Sequence, residues 1–231
     1  MIITQLHGRD IAEKATGCVV VIDVLRAFTT AAYAFVQGAA EIFIVSTTEE
    51  AFSLKEKYKD FVLVGEVAGK IIEGFDFGNS PEQMEKTDLS RKRLVLGTGS
   101  GAQAVVKSVN VEEKFLGSFV VAEATAAHLL GIPRKQITLF SLGAGTHESF
   151  EEDIACGEYL EDLLLKRTSN IPLLKERVIQ SAGGKQALDP LINWKTPRDF
   201  ELALQFNRFD FVMPVRKENG LWIASALPVK N

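Results

Sequence analysis

The chain has 231 residues, 46% hydrophobic and 24% charged, with 26 Lys+Arg against 30 Asp+Glu for a formal net charge of −4. That is the balance of a globular protein able to bury its own core, which excludes a disordered chain and offers no basic excess for a nucleic-acid backbone. Two cysteines, Cys18 and Cys156, exclude a disulfide scaffold or a four-cysteine zinc site, and no apolar run nears the roughly 18 residues of a membrane span.

The N-terminus, MIITQLHGRD, lacks the basic start and apolar core of a signal peptide, so a cytoplasmic protein is expected. Val19 to Asp23 is a continuous β-branched run and predicts a strand buried on both faces. Ala27 to Gln37 predicts a helix stopped by Gly38. Glu41 to Val45 is the next strand, and Thr47 with Glu50 forms a capping box that opens a helix to about Tyr58. Phe61 to Val64 predicts a third strand, and Arg93 to Leu96, Lys114 to Leu116 and Gln136 to Ser141 predict three more. Helices fall at about Gly101 to Ser108, Ala122 to Leu130 and Ser149 to Lys166, and Thr196-Pro197 starts another. Asn170 to Pro172 and Ala182 to Asp189 read as loose connections. Near the end, Asn219-Gly220 between apolar runs at Phe211 to Val215 and Leu221 to Ala224 is a strong hairpin signal. The alternation predicts one α/β domain over residues 1–231, with a largely parallel sheet covered on both faces and made mixed by the hairpin.

Ligands of open α/β sheets bind beyond the carboxyl ends of the parallel strands, so the residues that follow each strand are the first candidates. They are Asp23-Val-Leu-Arg26, then Gly65-Glu66 with the loop holding Asp76 and Gly78-Asn79-Ser80-Pro81, then Gly97-Thr98-Gly99-Ser100-Gly101, then Gly143-Ala-Gly-Thr146-His147. Asp23 is either a local acceptor of backbone N–H groups or a metal ligand or catalytic carboxylate. Arg26 opens a helix, where its charge opposes the macrodipole, so it either pairs with Asp23 or grips a phosphate or sulfonate. Ser80, Pro81 and Gln83 make a helix start, which is also a place for an anion. Glu66 and Asp76 read as solvated loop carboxylates or as ligands. Glu152 reads as the capping-box partner of Ser149, and Asp153 as a first-turn acid favoured by the helix dipole.

Several chemistries fail on their motifs. Leu25 breaks the DxD pattern of aspartyl-phosphate enzymes, and Cys18 stands too far from Arg26 for a cysteine phosphatase. No G-x-S-x-G elbow and no Walker lysine occur. Three histidines, His7, His128 and His147, argue against a multi-histidine metal centre.

The segments VVVIDVLRAFTTAA (Val19 to Ala32), GEVAGKIIEGFDFGNSPEQ (Gly65 to Gln83) and GAGTHESFEEDIACGEYL (Gly143 to Leu160) resemble the hallmarks of the 2-phosphosulfolactate phosphatase family, in order and in spacing. The resemblance implies a three-layer α/β/α fold with a mixed sheet. It also implies a Mg²⁺-dependent acid phosphatase that converts 2-phosphosulfolactate to sulfolactate and phosphate, a step of coenzyme M biosynthesis in methanogens. Under it, Asp23, Glu66 and Asp76 are the expected metal carboxylates. Arg26, Gly78, Asn79, Ser80, Thr98, Ser100, Gly143 and Thr146 are expected around a small phosphoester, with Asp23 and Arg26 catalytic. Either water or Asp23 itself could be the nucleophile. A homodimer is the expected assembly. The chain departs from the family where members carry TTNGT and it has Thr98-Gly-Ser-Gly-Ala102, and where Val121 replaces an Asn. Those changes predict an altered substrate preference. The alternative is a non-catalytic anion-binding protein that keeps the fold.

Overall fold

The computed structural model describes residues 1–67, 69–142, 150–189, 191–192 and 196–229. Among them eleven strands form one sheet. They are β1 (Ile2–His7), β2 (Gly17–Ile22), β3 (Glu41–Val45), β4 (Val62–Val67), β5 (Lys70–Ile71), β6 (Arg93–Thr98), β7 (Val111–Gly117), β8 (Gln136–Ser141), β9 (Phe211–Glu218), β10 (Leu221–Ala224) and β11 (Leu227–Pro228). The helices are α1 (Ala27–Val36), α2 (Thr48–Lys57), α3 (Pro81–Glu85), α4 (Gly101–Lys107), α5 (Ala122–Gly131), α6 (Glu151–Leu164), α7 (Ile171–Gln180), α8 (Ala182–Leu188) and α9 (Pro197–Ala203). No described helix is long and apolar enough to cross a membrane.

The strand order is β1-β8-β2-β7-β9-β10-β3-β6-β4-β5, with β11 on β9. The architecture is the expected three-layer α/β/α sandwich with a mixed, mostly parallel sheet. Its hairpin takes an unexpected place. The β9–β10 pair turns at Asn219 (φ 50°) and Gly220 (φ 83°), the left-handed conformations that a two-residue hairpin needs. It sits mid-sheet, antiparallel to β7 on one side and to β3 on the other. The sheet therefore has two parallel blocks, β1-β8-β2-β7 and β3-β6-β4, of opposite direction. Neighbouring strands twist by roughly 20–25°, so the six steps from β2 to β4 accumulate roughly 120–150° and undo most of that reversal. The carboxyl ends of the two blocks can then face a common region.

That region is closed by a shared core. Val19, Val21 and Leu116 from one block meet Ile42, Ile44, Val64, Leu94 and Leu96 from the other around α1 and α4. Every residue of α1 from Ala27 to Phe35 is buried, which is why its sequence shows no polar face. On the outer faces, α5 and α6 cover the first block and α2 covers the second.

Local signals explain most helix starts. Thr47, Ser80 and Thr196 are N-caps whose hydroxyls accept from Glu50, Gln83 and Asp199 N–H. The two loose connections are corrected. Asn170 caps α7 by accepting from Leu173 N–H at 3.1 Å, and Ser181 caps α8 by accepting from Gly184 N–H at 3.0 Å. Gly183-Gly184 hides α8 from propensity rules, yet a Cβ at Gly184 would collide with the Val178 carbonyl, so packing demands the glycine. β1 is also added, an edge strand whose Thr4 and Gln5 dilute its apolar pattern. Helix α6 opens on Phe150, which puts Glu152, buried, at the second helical position; its expected capping-box partner Ser149 lies outside the described residues.

Lys114 is a buried charged group outside the site. Its ammonium lies 3.5 Å from the Trp222 ring centroid and donates to the Val105 carbonyl. Burial, with a smaller contribution from Lys217, pulls its pKa down to about 7. An unfolded lysine holds its proton to about pH 10.4. Between those values the unfolded chain binds the extra proton, so this group makes the protein more stable as pH rises. Lys114→Met removes the titration. The stability of the variant minus that of the wild type should therefore fall between pH 7 and 10, by about 2 kcal/mol or more. Denaturant melts at three pH values would show it. A flat difference would mean the ammonium is well solvated.

Candidate active site

The inward row of β2 leads directly to the site. Val19 and Val21 face α1 and α4, while Cys18, Val20 and Ile22 face α5 and α6. Asp23 continues the inward row just past the end of the strand. On β4, Val62 and Val64 face the same shared core, and Glu66 follows at the same parity. The period-two alternation thus aims carboxylates from both blocks inward.

Asp23 is 8% exposed, and its Oδ1 accepts from Ala27 N–H at 3.0 Å. The local-acceptor reading therefore holds for Oδ1. The other faces Gly101: a Cβ there would stand 2.5 Å from Asp23 Oδ2. Arg26 is 5% exposed at the N-cap of α1. Its Nη1 donates to Asp199 Oδ2 at 2.8 Å, and its Nη2 lies 3.7 Å from Glu66 Oε2. Arg26 and Glu66 are thus brought together, and Asp23 opens the turn that carries Arg26.

Asp199 holds more than Arg26. Its Oδ1 accepts from the Ser80 hydroxyl at 2.6 Å and from Glu82 N–H at 2.9 Å. The Ser80 proton is thereby committed and its oxygen accepts from Gln83 N–H, so Ser80 braces the site rather than donating to a substrate. Gly78 N–H is likewise engaged, donating to Gln83 Oε1 at 3.0 Å. Asn79 is different. It is buried, and its Oδ1 has no hydrogen-bond partner among the described residues, an acceptor that burial makes costly unless a ligand supplies a donor.

Asp153 reaches over the end of β2 from α6, and its Oδ1 accepts from Val24 N–H at 2.8 Å. Burial, then the charges of Asp23 and Glu152, raise its pKa well above the usual carboxylate range, against the N–H groups of Val24 and Leu142. Asp23 and Asp153 are therefore close enough to feel each other.

Asp76 is not brought to this cluster. Its Oδ2 accepts from Leu63 N–H at 2.8 Å and lies 3.5 Å from Lys55 Nζ. Leu63 is near the start of β4, several residues back from Glu66. The loop folds along the open edge of that strand, where Asp76 satisfies an otherwise unpaired donor. Among the departures from the family loop, a Cβ at Gly99 would meet none of the described residues within 4 Å, Ser100 takes the N-cap position of α4 and Ala102 is fully buried. Thr98 ends β6 opposite Glu66. Gly143 and Thr146 lie outside the described residues.

Two carboxylates of the site were not predicted. Asp153 and Asp199 both stand in first helical turns, where the helix dipole already accounts for an acid. Only their burial sets them apart.

The model of the 2-phosphosulpholactate phosphatase family matches residues 4–218. The chain belongs to that family. Members are phosphoric monoester hydrolases. The chain is 34% identical over 203 residues to a Bacillus subtilis (strain 168) protein named "Probable 2-phosphosulfolactate phosphatase", covering 86% of this chain and 87% of the relative. A protein of the same name from Carboxydothermus hydrogenoformans is 35% identical over 219 residues, with 87% of each chain covered. One from Deinococcus radiodurans is 36% identical over 145 residues, 62% of this chain and 60% of the relative. The match reaches beyond the three hallmark segments, through α9 and into the hairpin, and so includes Asp199.

Proposed function

We propose that this chain is a Mg²⁺-dependent phosphatase acting on 2-phosphosulfolactate or a related small, doubly anionic phosphoester. The observation that carries it is a buried guanidinium, Arg26, held beside carboxylates at the converging strand ends of a chain of this family. A guanidinium held in a fixed plane matches the geometry of phosphate or sulfonate oxygens. Asn79, next in the chain to the Ser80 that Asp199 holds, offers its buried Oδ1 as an acceptor for a protonated group.

Among the described residues, no group of three His, Cys, Asp or Glu gathers as a metal site. Mg²⁺ asks for less: one or two carboxylates, with waters and substrate oxygens completing its shell. Asp23 with Asp153 offers such a hard-oxygen pair, whose mutual repulsion a divalent cation relieves. Glu66 stands across Arg26. Asp76, paired with Lys55, is left out of this set. When bound, Mg²⁺ neutralises charge on the phosphoryl group.

Phosphate release from 2-phosphosulfolactate and a panel of bulkier phosphoesters tests the reading. Activity should vanish in EDTA and return with Mg²⁺. Gly99, Ser100 and Ala102 carry smaller side chains than the family's Thr, Asn and Thr, so the bulkier esters should compete well with 2-phosphosulfolactate. Full activity in chelator would remove the metal from the mechanism. Phosphate binding without turnover of any ester would favour the non-catalytic anion-binding alternative.

A further inference from the structure

We infer that Asp199 is a positioning residue that fixes the Arg26 guanidinium for phosphoryl transfer, and that α9 is thereby a working part of the site. The inference rests on the phosphatase reading above. Asp199 is 1% exposed and 173 positions from Arg26, yet its two oxygens take three hydrogen bonds. One oxygen holds Arg26 Nη1; the other takes the Ser80 hydroxyl and Glu82 N–H. A single carboxylate therefore joins the turn after β2 to the start of α3. Asp199 is itself held, donating its own N–H to the Thr196 hydroxyl at 3.0 Å, and Thr196 donates to Glu82 Oε2 at 2.7 Å.

Without this anchor the buried arginine keeps its charge and loses the 2.8 Å bond that aims its Nη1. Phosphoryl transfer depends on donors placed where charge develops, so orientation matters more to turnover than to ground-state attraction. Removing the Asp199 charge also leaves the surroundings of Arg26 more positive, which favours anion binding. The two effects separate. Asp199→Asn should lower kcat about 10–100-fold, while the Kd for inorganic phosphate stays level or tightens. A variant that had merely lost its fold would instead bind phosphate at reduced stoichiometry.

The test is a double-mutant cycle in the full chain with Arg26→Gln, a change that neutralises the guanidinium. Steady-state kinetics would be read beside calorimetric titration of inorganic phosphate in Mg²⁺ buffer. If Asp199 acts through Arg26, Asp199→Asn should change kcat less than threefold in the Arg26→Gln background. The Arg26→Gln/Asp199→Asn pair also removes both buried charges together, which protects it from the unpaired ion of either single variant. A kcat within twofold of wild type for Asp199→Asn, or an undiminished loss in the Arg26→Gln background, would overturn the inference and leave the phosphatase reading intact. A wild type that neither turns over ester nor binds phosphate would overturn that reading and this inference with it.

Discussion

Asp23→Asn is expected to lower kcat on 2-phosphosulfolactate by roughly 10²–10³-fold, the size of losing one electrostatic partner of a transition state. The melting temperature should hold or rise. The substitution keeps the side-chain shape and an oxygen that can still accept the Ala27 N–H bond. It removes one of the charges that raise the Asp153 pKa, and so relieves repulsion between buried carboxylates. About 1 kcal/mol of relief would raise the melting temperature by roughly 2–4 °C in a chain of this size. Phosphate-release kinetics and a thermal melt on the same preparation decide it. A kcat within tenfold of wild type would show that the Asp23 charge is not used in the chemistry. A melting temperature lower by several degrees would show that the carboxylate serves the fold.

The fold was legible where the signals are local. The β-branched run of β2, the caps at Thr47, Ser80 and Thr196, and the Asn219-Gly220 turn each act within a few residues, and each forms as expected. The hairpin's place between β7 and β3 was not legible, because nothing local to Phe211–Ala224 names its outer partners. That placement matters: it reverses the second block, and the twist must then bring Glu66 back towards Arg26. Asp23, Arg26 and Glu66 could be singled out because each stands at or just past the carboxyl end of a strong strand. Asp76 misled because it lies in the same loop as Asn79 and Ser80, and only the fold-back along β4 turns its carboxylate to Leu63 and Lys55. Asp199 and Asp153 were hidden for the opposite reason. An acid in a first helical turn already has an explanation, and burial cannot be read from its position.

Gly101→Ala should reduce kcat/KM by about 10²-fold, whereas Gly99→Ala, two residues away, should change it less than twofold. Neither glycine has the positive φ that would exclude alanine, so the contrast rests on space alone. Among the described residues, a Cβ at Gly99 meets nothing within 4 Å. At Gly101 it would stand 2.5 Å from Asp23 Oδ2 and 3.2 Å from both Ala27 Cβ and Phe28 Cζ. Something must move. Ala27 and Phe28 belong to the fully buried helix α1, so the Asp23 carboxylate gives way, although Ala27 N–H holds its other oxygen. A displacement near 1 Å is enough to cost about 10² in rate when a catalytic group is misplaced. Stability should fall modestly: overpacking costs roughly 1–3 kcal/mol, partly offset by about 1 kcal/mol from alanine's helix propensity. Glycine at this position is thus the space that lets α4 start against the Asp23 carboxylate. Equal activities for Gly101→Ala and Gly99→Ala would show that Asp23 can shift freely, and would remove the reason to regard the α4 start as a wall of the site.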